Sequence, residues 1–248
     1  MAKARVLCVM DEGAKVGTPL IGSKGDSFLF EVDGRKVLFD TGRSGRYFMH
    51  NMGILGIKAD SIDAVVISYP SIDHVGGLNQ FMTNRTVPVD VYAVPDVWEC
   101  KRPLGKLISD DNIGGVKKQE AGTEWIELSE HLFLSPAIGG GREMAMVLRT
   151  SEGPVVFSTR AAEGIDKTLG TVKERFHVIR ALVGGIDMHR LKQPAVNDIA
   201  SAITGTYSLN DLHLNGCCGR EGIQKMRVAT SNSSIKDFFA GDELVYEV

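Results

Sequence analysis

Two short stretches carry the residue types that do chemistry. In Tyr69-Pro70-Ser71-Ile72-Asp73-His74, a carboxylate and an imidazole stand side by side ahead of Gly76-Gly77-Leu78. An imidazole among carboxylates can hold a divalent metal. The competing reading is that Asp73 caps the helix that follows, with His74 a satisfied polar residue beneath it. The second stretch is Asn215-Gly216-Cys217-Cys218-Gly219. Thiolates beside a cleft bind metals or react, glycines let backbone approach a ligand, and Asn215 adds an amide. No second cysteine pair or spaced histidine completes a zinc signature, so a structural turn competes here too. Gly139-Gly140-Gly141-Arg142 is a loop that could receive a phosphate, and Arg43 and Arg46 could bind an anion or simply be solvated. His189 and His213 are isolated and read as surface or satisfied residues.

These residues need elements to position them. Ser27–Val32 and Lys36–Asp40 flank Asp33-Gly34, a two-residue hairpin signal. Residues 45–52 read as a short helix ended by glycine. Ile62–Ser68 is an apolar run short enough for a buried strand and leads straight into Tyr69–His74. Val89–Val94 is a strand closed by Pro95. Residues 103–125 are polar and glycine-containing, which reads as an extended loop or flap between Trp98 and Trp125. Strands follow at 131–134, 144–149 and 154–158, a helix at 165–176, a strand at 178–183 and a helix over 188–203 despite Pro194. The tail pairs a helix near 221–226 with a strand at 243–248. Strand-rich halves each finished by helices predict two face-to-face sheets with helices outside.

The 248 residues fit one large domain spanning 1–248, with 43% hydrophobic and 24% charged residues. A net charge of −3 gives no basic surplus, which argues against general nucleic-acid binding. No segment reaches the ~18 apolar residues of a membrane helix. The start, Ala2-Lys3-Ala4-Arg5-Val6-Leu7-Cys8, lacks a signal-peptide pattern. Scattered cysteines fit a cytoplasmic chain with reduced thiols.

Four segments together resemble the metallo-β-lactamase superfamily, and within it the dihydropterin ribofuranosyl-aminobenzene phosphate synthase-like branch. They are Gly25–Glu31 with Val37-Leu38-Phe39-Asp40-Thr41-Gly42; Val65–Ser68 through Asp73-His74-Val75-Gly76-Gly77-Leu78; Glu152–Ser158; and Val183-Gly184-Gly185. The resemblance implies an α/β chain, a four-layer αββα sandwich, and a cluster of imidazoles and carboxylates at strand ends holding one or two water-activating metals. The family's His-x-His-x-Asp-His motif reads Tyr69-Pro70-Ser71-Ile72-Asp73-His74 here. Its Gly-Cys-x-His turn reads Thr159-Arg160-Ala161-Ala162, its Gly-Gly-x-His turn Gly184-Gly185-Ile186-Asp187, and its His-Cys-Thr-Gly segment Gly216-Cys217-Cys218-Gly219.

What the resemblance implies is therefore a degenerate site. Asp73, His74 and Asp187 stand as remnants of the second metal position, and Arg160 falls near where a cation sat, able to pair with Asp73 and Asp187. Asp40 supports the site from below. Tyr69 fills vacated volume or donates a hydrogen bond. The leading expectation is a protein without a cofactor that has lost the dinuclear hydrolase site. It would bind a small ligand, anions among them, or a protein partner, through Tyr69, Arg160, Asp187, Asn215 and Cys217. One alternative is a mononuclear enzyme with catalytic Asp73 and His74. It would hold one zinc, iron or manganese ion on Asp73, His74 and Asp187 and act on a phosphate- or pterin-type substrate. The other is a non-catalytic subunit of a larger complex. Homo-oligomer formation stays open.

Overall fold

A computed structural model of the chain describes residues 2–100, 106–231 and 235–248. Seven strands form a first sheet in the order β14-β1-β2-β3-β4-β5-β6, where β1 is Lys3–Met10, β2 Ser27–Val32, β3 Arg35–Phe39, β4 Ala64–Ile67, β5 Val89–Ala93, β6 Val116–Glu120 and β14 Glu243–Glu247. A second seven-stranded sheet runs β13-β12-β11-β10-β9-β8-β7, with β7 Ile126–Glu127, β8 Leu132–Leu134, β9 Met146–Thr150, β10 Gly153–Ser158, β11 Ala181–Gly184, β12 Leu212–Leu214 and β13 Lys236–Asp237. The pairing changes character within each sheet. In the first, β14-β1-β2-β3 is antiparallel and β3-β4-β5-β6 parallel. In the second, β7-β8-β9-β10 is antiparallel and β10-β11-β12-β13 parallel.

The sheets face each other across one apolar layer. Phe30 of β2 meets Phe157 of β10 edge-on with ring centres 4.7 Å apart, and Phe28 meets Phe238 at 5.5 Å. Rings this close in tilted or edge-on pairs add to the burial that holds the sheets together. Parallel strands buried on both faces read as continuous apolar runs, which is why Ala64-Val65-Val66-Ile67 is buried throughout. On the second sheet's outer face, Leu169 and Val172 of the helix Ile165–Phe176, Val196 of the helix Gln193–Ser201 and Met226 of the helix Arg220–Thr230 close a second apolar cluster. Phe48 and Met52 of a helix over Gly45–Ile54 join the first. The architecture is thus the α/β sandwich of two central sheets and outer helices that the sequence predicts.

Three expectations change. The stretch expected as a flap contains a helical turn at Asp110–Ile113 and β6, an edge strand; residues 103–105 lie outside the described residues. Its Val116-Lys117-Lys118-Gln119-Glu120 is polar because an edge strand with charged side chains resists further pairing. The strand expected from Val178 begins at Ala181. The helix expected from Met188 begins at Gln193, with Pro194 in its first turn where its missing N–H costs nothing.

Candidate functional site

The candidate residues come together because they sit just beyond the carboxyl ends of parallel strands, from both sheets. Asp40 follows β3, Ser68 and Tyr69 follow β4, Thr159 and Arg160 follow β10, Asp187 closely follows β11, and Asn215 to Cys217 follow β12. Ligands in open parallel sheets bind at this end of the strands. The backbone is shaped for close approach: Asp40 has φ +64° and Ala161 φ +51°, both in the left-handed region. Gly25, Gly184 and Gly185 each lie so close to a neighbouring carbonyl (of Asp73, Ser158 and Thr159) that a Cβ would collide with it.

Asp40 is fully buried and holds the floor. Its Oδ1 accepts the Ser68 amide at 2.7 Å and its Oδ2 the Ser68 hydroxyl at 2.5 Å. His74 Nδ1 bonds the same Oδ2 at 2.7 Å. The Ser68 hydroxyl also meets the Thr159 hydroxyl at 2.6 Å, joining the two sheets. His74 borders the cleft, with its side chain only 1% exposed. The helical turn Ile72–Val75 is capped by Ser71, whose hydroxyl accepts the Asp73 amide at 3.4 Å. Asp73 is therefore in the first turn, not the cap. His74 lies in the same turn, buried and hydrogen-bonded to Asp40.

Arg160 lies in the cleft, pointing inward. Its Nε and an Nη donate to Asp187 Oδ2 at 3.1 and 3.0 Å. Burial opposes the guanidinium charge, but Asp187, then Tyr69 and Cys217, outweigh it and raise its pKa. Asp73 bonds Arg43 at 3.1 Å, so of the two carboxylates expected around Arg160 only Asp187 is its ion-pair partner. Tyr69 meets the His74 ring edge-on at 5.8 Å and lies 5.7 Å from the Arg160 guanidinium carbon, so it packs between them.

The Asn215–Gly219 turn is built on carboxylates that the sequence reading passed over. Asp11 Oδ1 accepts the Gly216 amide at 2.7 Å and Oδ2 the Gly13 amide at 2.6 Å. Asp26 is completely buried, with neither oxygen in a well-formed hydrogen bond, facing Asn215, Cys217 and Asp11. Burial and the Asp11 charge push Asp26 well above the usual carboxyl range, and burial lifts Asp11 to about 6. Burial and the Asp26 charge push the Cys217 thiol well above its ordinary value, and burial takes Cys218 to about 12. Both stay thiols at neutral pH. Of the two readings of this segment, the structural turn is the one these surroundings suit, because burial and the Asp26 carboxyl oppose a thiolate at Cys217. Asn215 caps the turn, its Oδ1 accepting the Cys217 amide at 3.2 Å.

A cleft of about 400 Å³ opens over these residues, lined by Glu12, Lys24, Asp73, His74, Arg160, Asp187, His189, Arg190, Gly216 and Cys217. Lys24, Arg190 and Glu12 were absent from the sequence reading, and His189, expected to be incidental, belongs to the lining. Among the described residues, the His/Cys/Asp/Glu trio with ligand atoms within 4.8 Å of one another is Asp33, Glu130 and His131, none of which lines this cleft. Asp73, His74 and Asp187 share the cleft without forming such a trio, and two of them already hold arginines. Two guanidinia, those of Arg160 and Arg43, thus stand against the carboxylates of Asp187 and Asp73 that line the cleft.

Residues 23–122 match the family model described as anti-Pycsar protein Apyc1. Over 148 residues, 54% of this chain, the sequence is 28% identical to 7,8-dihydropterin-6-methyl-4-(beta-D-ribofuranosyl)-aminobenzene-5'-phosphate synthase of Methanocaldococcus jannaschii, and the match spans 48% of that relative's length. It is 25% identical to the exodeoxyribonuclease WalJ of Streptococcus pneumoniae over 75% of this chain and 71% of that protein. A metal-dependent hydrolase of the β-lactamase superfamily superposes with a TM-score of 0.79 at 22% identity, covering 97% of this chain and 98% of that one. The metallo-β-lactamase fold protein YhfI of Bacillus subtilis gives 0.65 at 12% identity, covering 98% and 100%. No helix among the described residues is long and apolar enough to cross a membrane. By the order of its strands and the structures it superposes on, the chain has the metallo-β-lactamase fold, and its sequence is similar to the dihydropterin phosphate synthase-like branch.

Proposed function

We propose that the chain is a metal-independent binding protein for a small anionic ligand, descended from a dinuclear hydrolase whose site it no longer keeps. The observation that carries this is the Arg160–Asp187 ion pair inside the cleft. A guanidinium held by one carboxylate oxygen keeps N–H groups free and offers planar donor geometry to an oxyanion. Lys24, His189 and Arg190 line the same cleft and add attraction, while Asp187 and Asp73 each already have a cation. The names of the two sequence relatives, a 5'-phosphate synthase and an exodeoxyribonuclease, both concern phosphate-bearing molecules, which favours a phosphoryl-type anion.

The test joins elemental analysis of the purified chain for zinc, iron and manganese with calorimetric titration of inorganic phosphate. The proposal expects metal near zero, before and after incubation with these ions, and phosphate binding that is lost in Arg160→Ala. About one metal per chain, removed by Asp73→Ala, would overturn it in favour of a mononuclear enzyme on Asp73, His74 and Asp187. Neither metal nor phosphate binding would leave the subunit reading, in which the cleft is only filled.

A further inference from the structure

Asp11 and Asp26 face each other where the first two strands end. The antiparallel register of β1 and β2 closes with Met10 opposite Ser27, so the next residues out, Asp11 and Asp26, stand across from one another. Both are fully buried, and their carboxyls are within hydrogen-bonding reach of each other. Like charges directly opposed on antiparallel strands repel, and burial removes the solvent that would screen them. The groups packed around the pair supply no cation. Asp26 meets Asp40 from the end of β3, and Asn215 and Cys217 from the turn after β12. The Cys8 thiol lies near both acids and Asp242. Lys24, two residues before Asp26, lines the cleft. Two buried acids in contact without a cation keep one proton between them. Asp11 takes the charge, because its oxygens accept the Gly13 and Gly216 amides at 2.6 and 2.7 Å. Asp26, with neither oxygen in a well-formed hydrogen bond, keeps the proton.

The pair stands directly behind one wall of the cleft, which Glu12, next to Asp11, lines together with Gly216 and Cys217. The turn that carries Gly216 and Cys217 is fitted closely. A Cβ on Gly216 would come within 2.9 Å of Asp11 Oδ1, and one on Gly185 within 2.8 Å of the Cys217 Cβ. The acids themselves are anchored at the ends of strands paired on both sides, β1 between β14 and β2, and β2 between β1 and β3. The turn has no such bracing. It is the three residues Gly216–Cys218, following the three-residue β12, and the Gly216 amide holds it to Asp11. When both acids are charged, the element with the fewest bonds to break yields first, and that is the turn.

We propose that Asp11 and Asp26 are a proton-sharing latch on the Asn215–Gly219 turn. With one proton between them the turn is closed against the acids, and with none it moves away, taking Gly216 and Cys217 out of the cleft wall. The shape of the cleft then responds to pH whatever ligand it takes, so the inference stands apart from the anion-binding reading.

Amide hydrogen exchange from about pH 5 to about pH 9 reads the latch at the Gly216 amide. With the intrinsic base-catalysed rise divided out, its protection in the wild-type chain is expected to fall by about tenfold or more across this range. The Ala121 amide, bonded to the Ala93 carbonyl at 3.0 Å far along the same sheet, should keep its protection. Asp26→Asn, neutral at every pH, should hold Gly216 protection constant. Carboxyl-carbon NMR of the wild-type chain needs no variant to fold: the Asp11 and Asp26 signals should each move in both of two steps, as for a coupled pair. Gly216 protection that stays flat in the wild type, falls equally in Asp26→Asn, or falls in step with Ala121 would overturn the latch. So would an Asp26 signal that titrates alone in the ordinary carboxyl range.

Discussion

His74 and Asp40 form a fully enclosed pair, Nδ1 to Oδ2 at 2.7 Å with the side chains 1% and 0% exposed. Asp40 also takes both the amide and the hydroxyl of Ser68, so one carboxylate ties the end of β4 to the helical turn that carries Asp73 and His74. Removing it takes the acceptor from the buried Ser68 amide and from His74 Nδ1, and leaves the Ser68 hydroxyl with Thr159. Asp40→Ala should therefore lower unfolding stability by about 3–5 kcal/mol. A urea titration followed by circular dichroism measures this. A loss below about 1 kcal/mol would mean that the network is not what holds the turn.

Arg160 and Asp187 make a different kind of pair, with side chains 37% and 34% exposed. An ion pair this open contributes little, so Arg160→Ala should shift stability by no more than about 1 kcal/mol. Its effect belongs on binding. Asp187→Asn should raise phosphate affinity severalfold, because the competing carboxylate charge is removed while the guanidinium remains. A metal-holding Asp187 would give the opposite sign, with ligand affinity falling together with metal content. Calorimetry on both variants decides between them.

The fold was readable because its signals are local. Asp33-Gly34 between alternating strands, the apolar run before Tyr69 and the helix over 165–176 each announce themselves within a few residues. Asp40, Asp73, His74, Arg160 and Asp187 were legible through the resemblance, since each occupies a recognisable place beside a strand end. Asp26 and Asp11 were not. A carboxylate in a loop reads as solvated, and only the return of the chain 205 residues later, where the Gly216 amide meets Asp11, reveals that it is buried. Glu143 shares that difficulty. The choice between turn and reactive thiol at Cys217 stayed open in the sequence for the same reason, because thiol reactivity depends on neighbouring charges that come from elsewhere in the chain.

Gly25 has φ +85°, and a Cβ there would fall on the carbonyl oxygen of Asp73. The loop before β2 thus packs backbone to backbone against the turn that bears Asp73 and His74. Gly25→Ala combines a disfavoured φ with a collision against backbone that cannot rotate away. The expected cost is about 2–4 kcal/mol, felt as a lower melting temperature. Gly53→Ala, in the first helix with open space around its Cβ, is the matched control and should be neutral or slightly stabilising. Similar melting points for the two variants would contradict the close packing.

The buried acids give the chain a distinctive response to pH. Asp11 titrates at about 6 in the folded protein against 3.8 for the free group, because burial disfavours its charge. A carboxyl with a raised folded pKa favours the folded state while protonated. Its contribution is whole below about pH 4, shrinks as pH rises, and is gone once pH passes the folded value. From these values the loss amounts to about 3 kcal/mol. Asp26 is shifted in the same direction and extends the decline to higher pH. Urea unfolding of the wild-type chain and Asp11→Asn at several pH values from 4 to 7 isolates the Asp11 share. The stability of the wild type relative to the variant should fall across that window and then level off. A difference that stays flat, or one that rises with pH as for a salt-bridged carboxylate, would show that the amides of Gly13 and Gly216 stabilise the Asp11 charge more strongly than burial opposes it.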